Sequence, residues 1–142
     1  MVLEEVCTFE WTYDRGGERV PPGFVVLTPF GEDGAGYGEG RGTVDGRIAG
    51  DCVWSNHPRR RGDGRMLPDV HGLVTTHDGA RIVFAFTGRT VFDGDIGSQR
   101  LIGTFETDVD RYRWLNDLVC IAAGEIRPGA NTIEIHVYAP AA

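Results

Sequence analysis

The stretch HDGARIVFAFTG, residues 77–88, decides the fold class. Near its start is the dipeptide Asp78-Gly79, which is the strongest short-range signal for a β-hairpin when alternating apolar residues flank it. After this turn, one face carries a large apolar residue at every second position: Ile82, Phe84 and Phe86. Alternation with a period of two is typical of a half-buried β-strand. The stretch therefore predicts an antiparallel hairpin with one face against a core.

Runs with the same period lie toward both ends of the chain. In CTFEWTY (residues 7–13), one face carries Cys7, Phe9, Trp11 and Tyr13. NTIEIHVYA (residues 131–139) alternates Ile133, Ile135 and Val137 with Glu134, His136 and Tyr138. Further strands are predicted in three apolar runs, at residues 23–30, 100–109 and 117–126. One short helical turn is predicted near residues 109–116.

Length and glycine content narrow the architecture. The chain has 142 residues, which suits a single domain over residues 1–142. Glycine takes 21 positions, which disfavours a helical bundle, because each glycine inside a helix costs about 1 kcal/mol relative to alanine. We therefore predict an all-β fold, a single antiparallel β-barrel of about 8–10 strands, similar in type to lipocalins and other calycins. Closure removes exposed strand edges, and a barrel of about eight strands can hold one small ligand.

A run of alternating glycines, GAGYGEGRG at residues 34–42, leaves one face of a strand without side chains. Its spacing does not match G-x-G-x-x-G, so a dinucleotide-binding loop is not supported. A bare face allows another backbone to approach closely, or the sheet to coil sharply. The alternative is a glycine-rich flap over the mouth of the barrel. The sequence leaves both interpretations open.

Charge and composition exclude several classes of function. The formal net charge is −7, so we predict no nucleic-acid partner and no membrane partner. All 14 basic residues are arginine, so neither a lysine Schiff base nor a P-loop can form. The start MVLEEV lacks the features of a secretory signal, and no apolar run approaches the ~20 residues of a membrane span. We therefore expect a cytoplasmic protein, with its three widely spaced cysteines as buried thiols.

Three stretches occur in a recognisable order: GTVDGRIAGDCVW (42–54), GDGRMLPDVHGLVTTHDGARIVFAFTG (62–88) and RYRWLNDLVCIAAGEIRPGANTIEIHVYAP (111–140). In this order they resemble an uncharacterised family of bacterial and fungal proteins, the domain of unknown function 3237. The most specific element of the resemblance is Tyr-x-Trp-Leu-Asn, here Tyr112, Trp114, Leu115 and Asn116. Where the family has approximately Leu-Asp-Ala-Arg, this chain has Pro-Asp-Val-His at residues 68–71. The resemblance implies a small all-β barrel and carries over no common reaction.

The candidate catalytic residues are Asp69 and His71. They lie two residues apart in a predicted strand, so both side chains point to the same face. A carboxylate beside an imidazole can orient the ring and provide a general base near neutral pH. The alternative is a solvated polar face. The sequence does not show which strand faces point inward. If Glu134, His136 and Tyr138 do so, they replace this pair.

The candidate ligand contacts are mainly aromatic. Trp54, Tyr112 and Trp114 would supply walls, Asn116 a hydrogen bond, and Arg65 an anchor at the rim for a ligand carboxylate. The alternatives are that Trp114 belongs to the core, that Asn116 caps the end of a short helix, and that the arginine loop is solvated. The four histidines have no metal-ligand spacing, and no cofactor motif occurs, so we expect neither a metal nor a cofactor.

These features together predict a small β-barrel that encloses an apolar or aromatic metabolite as its partner. The barrel would bind the metabolite or promote a cofactor-free acid–base step, such as an isomerisation, a cyclisation or an elimination. Two alternatives stay open: a ligand carrier without chemistry, and a barrel that docks on another protein. The sequence leaves open whether the chain is an enzyme and whether it forms a homodimer.

Overall fold

The structure is a computed structural model that describes residues 1–14, 24–28, 30 and 33–141. Within these residues the chain forms eleven strands: β1 (Leu3–Tyr13), β2 (Phe24–Leu27), β3 (Gly34–Gly46), β4 (Gly50–Asn56), β5 (Arg59–Arg60), β6 (Met66–Leu67), β7 (Asp69–Thr76), β8 (Arg81–Asp93), β9 (Ile96–Glu106), β10 (Cys120–Arg127) and β11 (Thr132–Pro140). Two 3₁₀ helices accompany them, Asp110–Asp117 and Pro128–Ala130. The first of these is the short helical turn predicted near residues 109–116.

The longer strands close into an antiparallel barrel. The neighbours run β1, β3, β4, β7, β8, β9, β10 and β11, and β11 pairs back onto β1. The short strands extend one end of it, because β2 and β5 both pair with β3 and β6 pairs with β5 and β8. This confirms the predicted all-β antiparallel barrel, in which every long strand has a partner on each edge.

Burial shows which face of each strand points inward, the question that the sequence left open. The apolar sets Cys7, Phe9, Trp11 and Ile82, Phe84, Phe86 are all buried. On β11 the buried residues include Ile133, Ile135 and Val137, so Glu134, His136 and Tyr138 point outward. On β7 the buried residues include Val70 and Val74, so Asp69 and His71 also point outward. Because side chains alternate along a strand, each of these assignments follows from its neighbours.

One end of the barrel is closed by protein side chains. The 3₁₀ helix Asp110–Asp117 lies between β9 and β10, and its Leu115 is fully buried in the core. Above it the interior is filled by aromatic rings, with the centroid of Phe84 4.9 Å from that of Phe9 and 6.3 Å from that of Phe105. Tight packing of this kind leaves the opposite end, where β1 ends and β9 begins, as the mouth of the barrel.

The alternating glycines, residues 34–42, form the first nine of the thirteen residues of β3. An added Cβ at Gly40 would collide with the carbonyl oxygen of Thr12 and lie 2.6 Å from the ring of Trp54. At Gly42 it would collide with the carbonyl oxygen of Glu10. The bare face therefore serves close packing against β1. The alternative of a glycine-rich flap is wrong, because the segment is hydrogen-bonded to neighbouring strands along its length.

The cysteines are free and buried, as expected from their spacing. Burial raises the pKa of Cys52 to about 12 and that of Cys120 to about 11, and it raises the pKa of Cys7 further. These thiols therefore stay protonated and act as small apolar side chains. Among the described residues, no helix is both long and apolar enough to cross a membrane.

Candidate ligand pocket at the barrel mouth

A pocket of about 180 Å³ opens at the mouth of the barrel. Its apolar lining consists of Tyr13, Phe24, Met66, Phe92 and Ile126, together with Pro58, Pro68 and Pro128. Its polar lining consists of Asn56, Thr90 and Gln99. A mostly apolar concavity with a few converging polar groups is the usual form of a small-molecule site.

The strand ends bring these residues together. Tyr13 is the last residue of β1, and Phe92 lies near the end of β8, where the inward face of each strand reaches the mouth. Thr90 and Gln99 face each other in the register of β8 and β9. Ile126 is the last buried residue of β10, and it lines the pocket together with Thr90 and Gln99. The pocket is therefore a continuation of the barrel interior, at the level where the interior is no longer filled.

The polar floor of the pocket is the pair Gln99 and Thr90. Both are buried, with 6% and 3% of their surfaces exposed. The Nε2 amide of Gln99 donates to Oγ1 of Thr90 at 3.3 Å. No described residue hydrogen-bonds to Oε1 of Gln99. A buried polar atom without a partner destabilises a fold by roughly 1–3 kcal/mol, and no described contact of Oε1 offsets that cost.

Tyr13 supplies a neutral hydroxyl on the wall of the pocket. Its ring packs edge-on to Trp54 with centroids 5.1 Å apart, and 5.8 Å from the ring of Phe24. Burial raises the pKa of Tyr13, so its hydroxyl stays protonated at neutral pH. The position is held by Asn131, whose Oδ1 accepts from the Tyr13 amide at 2.9 Å and whose Nδ2 donates to the Tyr13 carbonyl at 3.1 Å.

Trp54, a predicted ligand contact, lies inside the barrel directly below the pocket. It stacks on Trp11 with centroids 5.3 Å apart and touches Tyr13 from the other side. Its indole Nε1 donates to the carbonyl of Arg41 at 3.3 Å. Trp54 therefore supports the wall formed by Tyr13, and only 4% of its surface is exposed.

Arg65, the predicted rim anchor, lies in the turn between β5 and β6. Asp63 binds the guanidinium groups of Arg61 at 2.7 Å and of Arg65 at 3.8 Å. The hydrogen bond from Arg61 lowers the pKa of Asp63 to about 2, so the carboxylate stays charged. The next residue, Met66, lines the pocket, but the Arg65 side chain is directed back to its own loop.

Asp69 and His71 form the predicted pair, with Nε2 of His71 3.0 Å from Oδ1 of Asp69. Both side chains are about half exposed on the outer wall. Two neighbouring outward residues extend this polar surface. The centroid of the His57 ring lies 6.3 Å from that of His71, and Nε2 of His57 lies 3.2 Å from Oγ of Ser55. The pair therefore does not face a ligand enclosed by the barrel. Trp54 lies on the inner side of the strand layer and the pair on the outer side, so the structure does not bring them together.

Tyr112, Trp114 and Asn116 lie at the closed end of the barrel, opposite the pocket. The Tyr112 hydroxyl donates to Asp78 at 2.9 Å, in the hairpin between β7 and β8. The guanidinium carbon of Arg47 lies 4.0 Å from the centroid of the Trp114 ring. Asn116 accepts from the amide of Thr107 at 2.8 Å and donates to its carbonyl at 2.9 Å. These residues connect the 3₁₀ helix Asp110–Asp117 to the ends of neighbouring strands. They lie at the closed end, so the structure does not bring them together with the mouth pocket.

The sequence interpretation missed the residues that line this pocket. Thr90 and Phe92 continue the inward alternation of Ile82, Phe84 and Phe86 along β8. A polar residue on an otherwise apolar face was a usable signal for Thr90. Gln99 was harder to find, because the start of β9 reads GSQR and shows no alternation of its own.

Metal ligands do not cluster in the part of the chain that the structure describes. In that part, no group of three or more His, Cys, Asp or Glu side chains could hold a metal ion. In the loop next to the pocket, Asp63 pairs with Arg61 and Arg65.

The fold and the pocket define a small closed β-barrel with room for one ligand at its mouth. The family model described as "Protein of unknown function (DUF3237)" matches residues 20–139, and the chain belongs to that family. The resemblance noted in the sequence is thereby confirmed. No curated protein sequence matches the chain.

Solved structures share the fold over nearly the whole chain. A protein of unknown function from Clostridium acetobutylicum has 18% identity and a TM-score of 0.82, with 97% of each chain covered. A β-barrel-like protein from Acinetobacter baumannii has 20% identity and a TM-score of 0.79, with 97% of this chain and 94% of that one covered. An enzyme from Penicillium herquei has 18% identity and a TM-score of 0.70, with 96% and 93% covered. At these identities the likeness shows the fold alone.

Proposed function

We propose that this protein binds a small apolar or aromatic molecule in the mouth pocket. The volume of about 180 Å³ supports an occupant built around one ring, since an apolar cavity of about 150 Å³ holds benzene. The rings of Tyr13, Phe24 and Phe92 offer flat apolar contact. The rest of the described interior is occupied by the protein's own apolar side chains, aliphatic as well as aromatic.

The observation that carries this proposal is the amide of Gln99. It is buried at the floor of an apolar pocket, and its Oε1 accepts no hydrogen bond from the described residues. The asparagines of the mouth are different, because the Oδ1 atoms of Asn56 and Asn131 both accept from backbone amides. Gln99 binds no backbone group among the described residues, so a ligand is the partner that best accounts for it.

The test is a ligand screen with matched variants. A panel of single-ring compounds is added to the purified protein, and the midpoint of thermal unfolding is measured, because a ligand bound only to the folded state must raise it. Gln99→Leu should reduce the shift for compounds with a polar group. Thr104→Val, on the outward face of the same strand β9, should leave it unchanged. A panel without any binder, or shifts that survive both Gln99→Leu and Phe92→Ala, would overturn the proposal.

Acid–base catalysis by Asp69 and His71 is a second proposal. It is supported by their hydrogen bond of 3.0 Å, and a fold relative from Penicillium herquei is described as an enzyme. The reaction would be a cofactor-free isomerisation, cyclisation or elimination, and it would take place on the outer wall. His71→Ala should abolish turnover with the fold intact, since the side chain is exposed. Unchanged turnover of a proven substrate would exclude this role.

Two alternatives to catalysis are separated by the same experiments. A carrier would bind the ligand and return it unchanged, which product analysis by mass spectrometry detects. An interaction barrel would bind no compound of the panel and would instead co-purify with a protein partner. Cytoplasmic localisation, the absence of a nucleic-acid partner and a homodimer stay predictions, and sedimentation velocity tests the last of these.

A further inference from the structure

We infer that the mouth pocket selects an uncharged ring compound that carries a hydroxyl group, of phenol or enol type, with the hydroxyl bound between Gln99 and Thr90. This inference rests on the proposed function and specifies its ligand. It depends on three features of the pocket: the hydrogen-bonding groups at its floor, the neutrality of its lining and the shape of its walls.

The floor offers both an acceptor and a donor. Oε1 of Gln99 accepts nothing from the described residues, and Thr90 uses its oxygen to accept from Gln99 Nε2 at 3.3 Å. The Thr90 hydroxyl proton is not donated to any described residue, and a threonine hydroxyl can donate while it accepts. A ligand hydroxyl can donate to Gln99 Oε1 and accept from Thr90 at the same time. It therefore satisfies both groups with one atom.

The same conclusion holds when the Gln99 amide is turned over. Thr90 would then donate to the amide oxygen, and Nε2 would be the group left for the ligand. A hydroxyl can accept from Nε2 as well as it can donate to Oε1. A methyl group can do neither, and a carboxylate can only accept. Of these groups, the hydroxyl alone complements both orientations of the amide.

The lining favours a neutral ligand. Every side chain that the described residues contribute to the pocket is uncharged, and burial keeps the Tyr13 hydroxyl protonated. An anion in such a site would lose its water without gaining a cation, which carries a penalty of several kcal/mol. The expected anchor for a carboxylate, Arg65, is bound to Asp63 instead.

The walls favour a flat ring with a narrow end toward the floor. Phe92, Tyr13 and Phe24 surround the pocket with aromatic faces and edges. Three of the lining side chains converge at the neighbouring Gly97, where an added Cβ would lie 2.5 Å from Ile126, 2.9 Å from Thr90 and 3.0 Å from Phe92, so we expect the pocket to be narrow beside them. A planar ring bearing one small polar substituent fits this narrowing better than a branched group does.

The experiment compares three para-substituted toluenes by isothermal titration calorimetry at pH 7: p-cresol, p-xylene, which matches it in shape, and 4-methylbenzoate, which carries a larger, charged carboxylate. We expect p-cresol to bind about tenfold or more tightly than p-xylene, because xylene leaves Gln99 unpaired. We expect 4-methylbenzoate to bind about a hundredfold or more weakly than p-cresol, because its charge is buried without a partner.

Variants test whether the preference for p-cresol over p-xylene comes from Gln99 and Thr90 at the floor of the pocket. In Gln99→Leu the preference for p-cresol over p-xylene should fall to about threefold or less, while p-xylene keeps its affinity. Thr90→Val should reduce the preference in the same direction. Thr87→Val and Thr104→Val, on the outward faces of β8 and β9, should leave it unchanged. The wild-type comparison needs no variant, so it decides the inference even where a variant fails to fold.

The outcomes separate this inference from the function on which it rests. Equal affinity for p-cresol and p-xylene would overturn the hydroxyl anchor and leave ligand binding standing. Equal or tighter binding of 4-methylbenzoate would overturn the neutral ligand and also leave binding standing. Failure of all three probes, and of the wider panel of ring compounds, would overturn the proposed function together with the inference.

Discussion

At the scale of single residues, the amide side chains of this barrel have two different uses. Asn56, Asn116 and Asn131 each accept a hydrogen bond from a backbone amide in another segment. They hold strand ends together, as polar side chains near loops commonly do. The side-chain amide of Gln99 bonds, among the described residues, only to the Thr90 hydroxyl, and it lines the pocket. This contrast separates residues that stabilise the fold from one that is available to a ligand.

Replacing Gln99 and Thr90 together should therefore leave the unliganded protein at least as stable as the wild type. Gln99→Leu alone removes a buried amide whose oxygen has no partner among the described residues, but it also leaves the buried Thr90 hydroxyl without its hydrogen bond from Nε2. In the double variant Gln99→Leu/Thr90→Val, apolar groups of similar shape replace both partners, so we expect the free energy of unfolding to stay equal or to rise by up to about 2 kcal/mol, measured by urea denaturation. Thr104→Val, on the exposed face of the same strand as Gln99, should change it by less than about 0.5 kcal/mol. A clear loss of stability in the double variant would show that the pair serves the fold.

Replacing Asn116 should have the opposite effect. Asn116→Ala removes two hydrogen bonds to the backbone of Thr107 and should lower the free energy of unfolding by about 1–2 kcal/mol. Asn116→Asp keeps the acceptor for the Thr107 amide and should lose less. Ligand affinity should not change in either variant, because the pocket is at the other end of the barrel. Lost binding with unchanged stability would instead support the ligand contact that the sequence suggested.

At the scale of elements, outward ion pairs connect neighbouring strands. His136 on β11 lies 2.7 Å from Glu134 on the same strand and 3.5 Å from Glu5 on β1. The hydrogen bond that His136 donates to the Glu134 carboxylate raises the pKa of His136, with a smaller contribution from Glu5. A histidine whose folded pKa is raised stabilises the fold fully below its unfolded pKa, and this contribution is lost as pH rises through the folded pKa.

The pH dependence of stability tests this arrangement. Between about pH 6 and pH 8, the wild-type protein should lose a small amount of stability that the variant His136→Gln does not lose, measured by urea midpoints at each pH. His77→Gln, in the hairpin between β7 and β8, is the matched control and should keep the wild-type dependence. Identical slopes in wild type and His136→Gln would contradict the stabilising role of the pair.

At the same scale, the face of β3 without side chains limits which residues can replace its glycines. In Gly40→Ala, the new methyl group would meet the carbonyl of Thr12 and the Trp54 ring, so β3 and β1 would have to separate. We expect a loss of about 1–3 kcal/mol or more in the free energy of unfolding. Gly62→Ala is the control, because its Cβ would meet only Asp33 at 3.5 Å. Equal stabilities of the two variants would contradict the packing role of the glycines.

At the scale of the whole molecule, strand pairing around the closed barrel links its two ends. Each long strand runs between the mouth and the closed end, and the aromatic interior connects Trp11 to Phe84 at 5.8 Å and Phe84 to Phe105 at 6.3 Å. Small single domains of this kind generally unfold cooperatively. Binding at the mouth is therefore expected to stabilise the closed end as well.

Hydrogen exchange measures this coupling. With a bound probe at about 100 times its dissociation constant, amides that exchange only by global unfolding should be protected by about 2.7 kcal/mol in both β8 and β10. The surface turn at Gly62 should show no comparable change. Protection confined to the mouth would indicate that the two ends open independently.

The sequence by itself determined several of the strands, the turn at Asp78-Gly79 and the all-β class. A period of two in short runs specifies a strand whatever its neighbours are, and Asp78-Gly79 specifies a tight turn locally. It also paired Asp69 with His71 on one face, as the structure has them. These features depend on residues close in sequence, so a local pattern is enough to reveal them.

Only the tertiary structure decided which faces point inward and which strand ends meet. Alternation defines two faces without naming the inner one, and on β7 the face with Asp69 and His71 proved to be outside. The tilt and register of the closed barrel then bring Tyr13, Thr90 and Gln99 to the mouth and send Tyr112, Trp114 and Asn116 to the other end. Residues far apart in sequence become neighbours only through closure, so no local pattern could identify the pocket.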